Sequence, residues 1–98
     1  MKVIEVFRYE VSPQQVAQFD QAISEAMHIL DTEKRVERYE IAKNLDEPGK
    51  YIIRMEWESR EAQSEYTKSA EFLQIIDFVK PFRDNTLEHQ FYQCMQAK

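Results

Sequence analysis

Apolar and polar residues alternate in four segments of the chain, and this two-residue period predicts four β-strands. The third segment follows the turn residues Pro48-Gly49 and has large side chains on both faces, so we expect an interior strand. The second is rich in charges, which favours an edge position, because charged side chains discourage unwanted strand pairing. The predicted strands are Lys2 to Val11, Val36 to Lys43, Tyr51 to Glu58 and Thr86 to Met95.

Between the strands, apolar residues recur at steps of three and four, which predicts helices. Ser12 and Pro13 are a typical N-cap and first helical residue, and this helix is expected to extend to about Leu30. A second helical region is predicted from Ser59 to Pro81, with a break near residues 68 and 69.

The resulting order, βαββαβ, predicts an α+β, ferredoxin-like fold. Right-handed crossovers place both helical regions on one face of an antiparallel four-stranded sheet. The opposite face would then expose apolar side chains, among them Ile4, Val6, Ile52 and Tyr92. Because an exposed apolar face normally marks a partner surface, we expect a homodimer that forms through this sheet face.

Composition indicates a single domain, residues 1–98, with one hydrophobic core. The net charge of -5, without a cluster of Lys and Arg, argues against a nucleic-acid partner. The first residues, MKVIEVFRYEV, alternate with charges and predict neither a signal peptide nor a membrane span, so a cytoplasmic location is expected. Cys94 is the only cysteine, which excludes an internal disulfide and a CxxC metal or redox site.

Four features of the chain occur together in one known family. They are Tyr39, the turn from Asp46 to Gly49, the pair Glu56-Trp57 at the end of the next strand, and the segment Ser69 to Phe72 that opens the last helix. With them, residues 2 to 93 resemble the antibiotic biosynthesis monooxygenase family, within the wider group of dimeric α+β barrels. The resemblance implies a monooxygenase without metal or cofactor that oxidises a small aromatic quinol or anthrone-like substrate with dioxygen.

Other branches of this family perform different reactions. The haem-degrading branch uses an Asn, a Trp and a His where this sequence has Phe7, Tyr66 and Ile76, which weakens the haem interpretation. A branch that isomerises a phosphorylated sugar has a His at the position of Tyr66. The alternative to an enzyme is a small-ligand-binding or stress-response dimer of the same fold, whose cavity holds an aromatic compound without turnover.

Tyr66 and His89 are the candidate catalytic residues. Each has a structural alternative, since an inward Tyr also serves as core and a strand histidine is often a hydrogen-bonded core residue. Arg8 or Arg54 is a candidate partner for an oxyanion, although a salt bridge between Arg54 and Glu56 is the simpler interpretation. The candidate substrate-binding residues are apolar or aromatic: Phe7, Tyr9, Tyr39, Trp57, Phe72, Ile76 and Phe91.

Overall fold

The computed structural model describes residues 1–98 and contains four strands and three α-helices. Short 3₁₀ segments flank α1 and connect α3 to β4. None of the helices has the length and apolar character needed to cross a membrane. In chain order the elements are β1 (Val3–Glu10), α1 (Val16–His28), β2 (Val36–Lys43), β3 (Lys50–Trp57), α2 (Arg60–Tyr66), α3 (Ala70–Val79) and β4 (Thr86–Gln93).

The strands form one antiparallel sheet in the order β2-β3-β1-β4. This order confirms the predicted ferredoxin-like fold, with β3 in the interior and the charged β2 at an edge. It also places β1 between β3 and β4, so that side chains of β1 have neighbours on both sides.

Serine side chains begin both helices of the second helical region. Ser59 Oγ accepts a hydrogen bond from the backbone N–H of Ala62 at 3.0 Å, and Ser69 Oγ accepts one from that of Phe72 at 3.1 Å. These caps satisfy backbone donors that a helix leaves free at its start. The second cap lies at the predicted break and explains why this region folds as two helices.

Two irregularities change the predicted strand faces. A register shift in β2 places Val36 opposite Trp57, so Val36 packs against the core, although strict alternation would place it on the face of Arg38 and Glu40. A second shift, between Arg8 and Tyr9 on β1, leaves Leu87 of β4 exposed, although strict alternation would place it on the face of His89. A bulge adds one residue to one strand and thereby reverses the alternation beyond it.

The hydrophobic core lies between the helices and one face of the sheet. Phe19 of α1 is fully buried, and its ring packs at centroid distances of 5.0 Å from Tyr9, 4.6 Å from Tyr51 and 5.1 Å from Phe82. Aromatic rings at such distances attract each other beyond their burial. This cluster fills one part of the layer, and the remaining part contains a cavity.

Candidate functional site

A cavity of about 370 Å³ lies between the sheet and the helices, and its size falls within the range of small-molecule sites. Most of its wall is apolar, with a few polar groups. The apolar lining residues are Phe7, Tyr9, Ile23, Met27, Leu30, Ile53, Met55, Trp57, Tyr66, Phe72, Ile75, Ile76 and Val79. The polar lining residues are Glu5, Gln63, Thr67, Lys80, Arg83, Thr86 and His89.

Glu5 is the only carboxylate in the cavity wall, and it is 4% exposed. Its Oε1 accepts a hydrogen bond from Trp57 Nε1 at 3.0 Å, and its Oε2 lies 2.6 Å from His89 Nε2. An ionised carboxylate can only accept, so a hydrogen bond to ionised Glu5 requires the proton on His89 Nε2. Nδ1 of a neutral imidazole then keeps its lone pair, which makes His89 available as a base.

Strand pairing brings these three side chains together. Glu5 pairs with Met55 on β3 and with Phe91 on β4, and Trp57 and His89 each lie two residues from those partners. Residues two apart on a strand share a face, and diagonal neighbours on adjacent strands are within reach of long side chains. The central position of β1 therefore lets one carboxylate contact both flanking strands.

The His89 ring is held between a stacking partner and the carboxylate. It lies parallel to the Phe7 ring, with centroids 4.0 Å apart and an angle of 9° between the planes. The His89 side chain is nevertheless 41% exposed. The imidazole thus has a restricted orientation and remains accessible to a molecule in the cavity.

Tyr66 has a buried hydroxyl without a hydrogen-bond partner in the protein. Its ring lies 5.4 Å from that of Trp57 and 6.2 Å from that of Phe72. Burial, with smaller effects of the Glu33 and Glu71 carboxylates, raises the pKa of Tyr66 to about 12. Tyr66 is therefore a neutral hydrogen-bond donor near pH 7, and a ligand that accepts this bond would satisfy a group that is costly to leave unpaired.

The cavity wall contains most of the predicted site residues: Phe7, Tyr9, Trp57, Tyr66, Phe72, Ile76 and His89. Tyr39 and Phe91 are not among its lining residues. The Tyr39 hydroxyl donates to Asp31, which raises the pKa of Tyr39 to about 12. The Phe91 ring lies under the Arg60 guanidinium at 4.4 Å, in a separate hollow.

Neither candidate arginine reaches the cavity, so the expected oxyanion partners were wrong. Arg8 is exposed and paired with Glu88 at 3.4 Å. Arg54 contacts Glu40 and Glu56 on the outer face of the sheet, as the salt-bridge alternative predicted. Side-chain alternation explains both positions, because Arg8 and Arg54 lie on the strand face opposite to Glu5.

Sequence reasoning missed three charged residues of the cavity wall. Glu5 had a detectable signal, since it is a carboxylate on the strand face that Val3, Phe7 and Tyr9 make apolar. Lys80 and Arg83 had none, because they belong to the irregular 3₁₀ segment Lys80–Asn85, where no period indicates which side chains point inward.

Residues 2–77 match the family model described as antibiotic biosynthesis monooxygenase. The chain belongs to this family. The match spans the elements from β1 into α3 and ends before β4, so Glu5, Trp57 and Tyr66 lie within it and His89 lies beyond it.

Several solved structures share the fold at low sequence identity. SnoaB, a cofactor-independent oxygenase from Streptomyces nogalater, is 16% identical, with a TM-score of 0.82 over 98% of this chain and 95% of its own. A conserved protein from Methanosarcina mazei Go1 is 18% identical, with a TM-score of 0.81 over 95% and 92% of the two chains. No curated protein sequence matches the chain.

Proposed function

We propose that this protein is a cofactor-independent monooxygenase that oxidises a small aromatic quinol or anthrone-like substrate with dioxygen. The observation that carries the proposal is the hydrogen-bonded pair of Glu5 and His89 in the wall of an apolar, aromatic cavity. Membership of the monooxygenase family supports it, as does the structural likeness to SnoaB, a cofactor-independent oxygenase.

The first step is removal of a proton from the substrate. His89 Nδ1 takes the proton from a phenol, or from the acidic CH₂ of an anthrone, and the Glu5 carboxylate stabilises the imidazolium that forms. The Tyr66 hydroxyl donates a hydrogen bond to the substrate oxygen on which negative charge develops. The apolar wall strengthens both interactions, because it lowers the local dielectric constant.

The electron-rich anion then reacts with dioxygen. For an anthrone, one electron passes from the anion to dioxygen, and the substrate radical and superoxide combine to form a carbon–oxygen bond. The peroxide takes the proton back from His89. Cleavage of the O–O bond, with loss of the second hydrogen of that carbon, gives a carbonyl group and water. One oxygen atom thus enters the product and the other leaves as water, so that the substrate supplies all the electrons.

We also propose that two copies of the chain pair through the outer face of the sheet. This face exposes Ile52 by 45% and Tyr92 by 49%, and the half-buried Ile4 and Val6 lie between them on the central strand. A native mass near twice 11.8 kDa would support the dimer, and Ile52→Arg should then reduce the mass toward that of one chain. A native mass of one chain for the wild type would overturn it.

Dioxygen uptake tests the proposed reaction. The purified protein is mixed with a panel of hydroquinones and anthrones, and the uptake is compared with the autoxidation of each compound alone. We expect uptake above that background, with formation of a product that contains one atom from ¹⁸O₂. Because a positioned general base contributes about 10²- to 10⁴-fold, His89→Gln should lower kcat by a factor in that range.

His28→Gln is the matched control for this variant. His28 is the other histidine, and it is exposed and bonded to Asp31 at 3.0 Å, away from the cavity. The His28→Gln variant should take up dioxygen at the rate of the wild type. Binding of the same compounds without any uptake would instead favour a ligand-binding dimer, and equal activity of His89→Gln and the wild type would refute the assigned role of His89.

A further inference from the structure

We propose that Lys80 and Arg83 form an anion-binding site at the mouth of the cavity, and that the substrate is an aromatic compound with an acidic substituent such as a carboxylate. This inference rests on the proposed function, since it names the class of substrate for the same cavity.

The two cations lie where the cavity meets solvent. Lys80 and Arg83 line the cavity and are exposed, whereas lining residues such as Met27, Ile53 and Trp57 are buried. An aromatic ring system in the apolar interior would therefore direct a polar substituent toward Lys80 and Arg83.

The segment that carries these cations is anchored in the core. Phe82 lies between them in sequence, is 5% exposed, and packs its ring 5.1 Å from that of Phe19. At the end of the segment, Asn85 Nδ2 donates to the backbone carbonyl of Glu10 at 2.9 Å. These contacts hold the backbone beside the mouth, so the two long side chains need to order only their own rotamers when an anion binds.

Neither cation has an acidic partner. The chain has 13 Lys and Arg against 18 Asp and Glu, yet Lys80 and Arg83 form no ion pair. Asp77 and Asp84 are near them in sequence but do not pair with either one. The ion-paired cations are Lys2, Arg8, Arg35, Arg38, Lys43, Lys50, Arg54 and Lys68.

The cavity itself does not neutralise this charge. Glu5 is its only carboxylate, and both of its oxygens are engaged by Trp57 and His89. In an acidic protein, the mouth thus combines two free cations with an apolar interior. A carboxylate fits this site because a guanidinium binds it in a bidentate manner and an ammonium adds a second charge-assisted bond.

A matched pair of unreactive ligands separates this inference from the oxygenase proposal. Anthraquinone-2-carboxylate and its uncharged amide are titrated into the protein, and quenching of Trp57, the only tryptophan, reports binding. We expect the carboxylate to bind about 10- to 100-fold more tightly than the amide, because it forms charge-assisted hydrogen bonds with Lys80 and Arg83. The preference should decrease as salt is added.

The double variant Lys80→Gln/Arg83→Gln should lose this preference and keep the affinity for the amide. The control is Lys34→Gln/Arg60→Gln, which removes one Lys and one Arg that also lack an ion pair and lie outside the cavity wall. It should bind both ligands as the wild type does.

The other outcomes overturn one proposal or the other. Equal affinity of the wild type for both ligands would refute the anion site and leave the oxygenase proposal standing. If the double variant lost affinity for the carboxylate and the amide equally, Lys80 and Arg83 would only maintain the shape of the cavity, and the anion site would be refuted. Binding of neither ligand to the wild type would contradict an aromatic substrate and with it the proposed function.

Discussion

Two glutamates of nearly equal burial lie on opposite faces of the same sheet. Glu5 of β1 is 4% exposed and faces the helices, and Glu56 of β3 is 7% exposed and lies on the outer face. Their strands are adjacent, and Ile4, the neighbour of Glu5, pairs directly with Glu56. The two positions therefore differ mainly in what surrounds the carboxylate.

Permanent cations surround Glu56. Arg38 lies 3.1 Å from its carboxylate, Lys2 3.4 Å and Arg54 3.6 Å. Glu5 has instead the neutral indole of Trp57 and the imidazole of His89, whose charge depends on its proton. A buried carboxylate that fixed charges neutralise contributes to structure, whereas one that shares a proton with histidine can take part in proton transfer.

Of the two carboxylate substitutions, Glu5→Gln should have the larger effect on turnover. The amide keeps the size of the side chain and loses the negative charge that stabilises the imidazolium form of His89. Removing a group that supports a functional residue in this way typically lowers activity by about 10- to 100-fold. We expect kcat to decrease by that factor, with KM and the urea midpoint nearly unchanged. Unaltered kcat would show that Glu5 only satisfies Trp57 and His89 structurally.

Glu56→Gln should produce the opposite result. Three cations lose their shared anion, so the free energy of unfolding should decrease by about 1 to 3 kcal/mol, while kcat remains that of the wild type. Urea unfolding and oxygen uptake on the same preparation measure both quantities. A loss of kcat as large as that in Glu5→Gln would remove the distinction between the two carboxylates.

Trp57→Phe tests the neutral partner of Glu5. The substitution removes one of the two hydrogen bonds to the carboxylate and keeps a large ring in the core. A hydrogen bond to a charged group contributes about 1.5 to 3 kcal/mol to stability. We expect kcat to fall only a few-fold, less than in Glu5→Gln. Its urea midpoint separates this effect from a loss of stability, and a decrease of kcat beyond that of Glu5→Gln would contradict the assigned order.

Tyr66→Phe should change how the stability of the protein depends on pH in alkali. Burial raises the pKa of Tyr66 from 10.0 to about 12, so between these values the native state retains a proton that the unfolded chain releases. Stability therefore falls as pH rises through this window. Urea midpoints measured at pH 9, 10 and 11 should therefore decrease less steeply with pH in Tyr66→Phe than in the wild type. The same decrease in both proteins would contradict the raised pKa of Tyr66.

Local patterns in the sequence predicted much of the fold. The alternation in β3, the charges of β2 and the helix break near residues 68 and 69 each depend on a few neighbouring residues, and the structure contains all of them. The bulge beside Val36 was missed, because one inserted residue leaves no mark in a short alternating pattern.

The sequence by itself determined the order of elements, the family and some of the apolar side chains that line the cavity, such as Phe7, Trp57 and Phe72. Only the tertiary structure decided that Glu5 and His89, 84 residues apart, lie within hydrogen-bond distance, and that Lys80 and Arg83 line the cavity at its exposed side. The physical reason is that side-chain alternation is set within each strand, whereas the partners of a side chain are set by the register between strands and by the path of irregular segments.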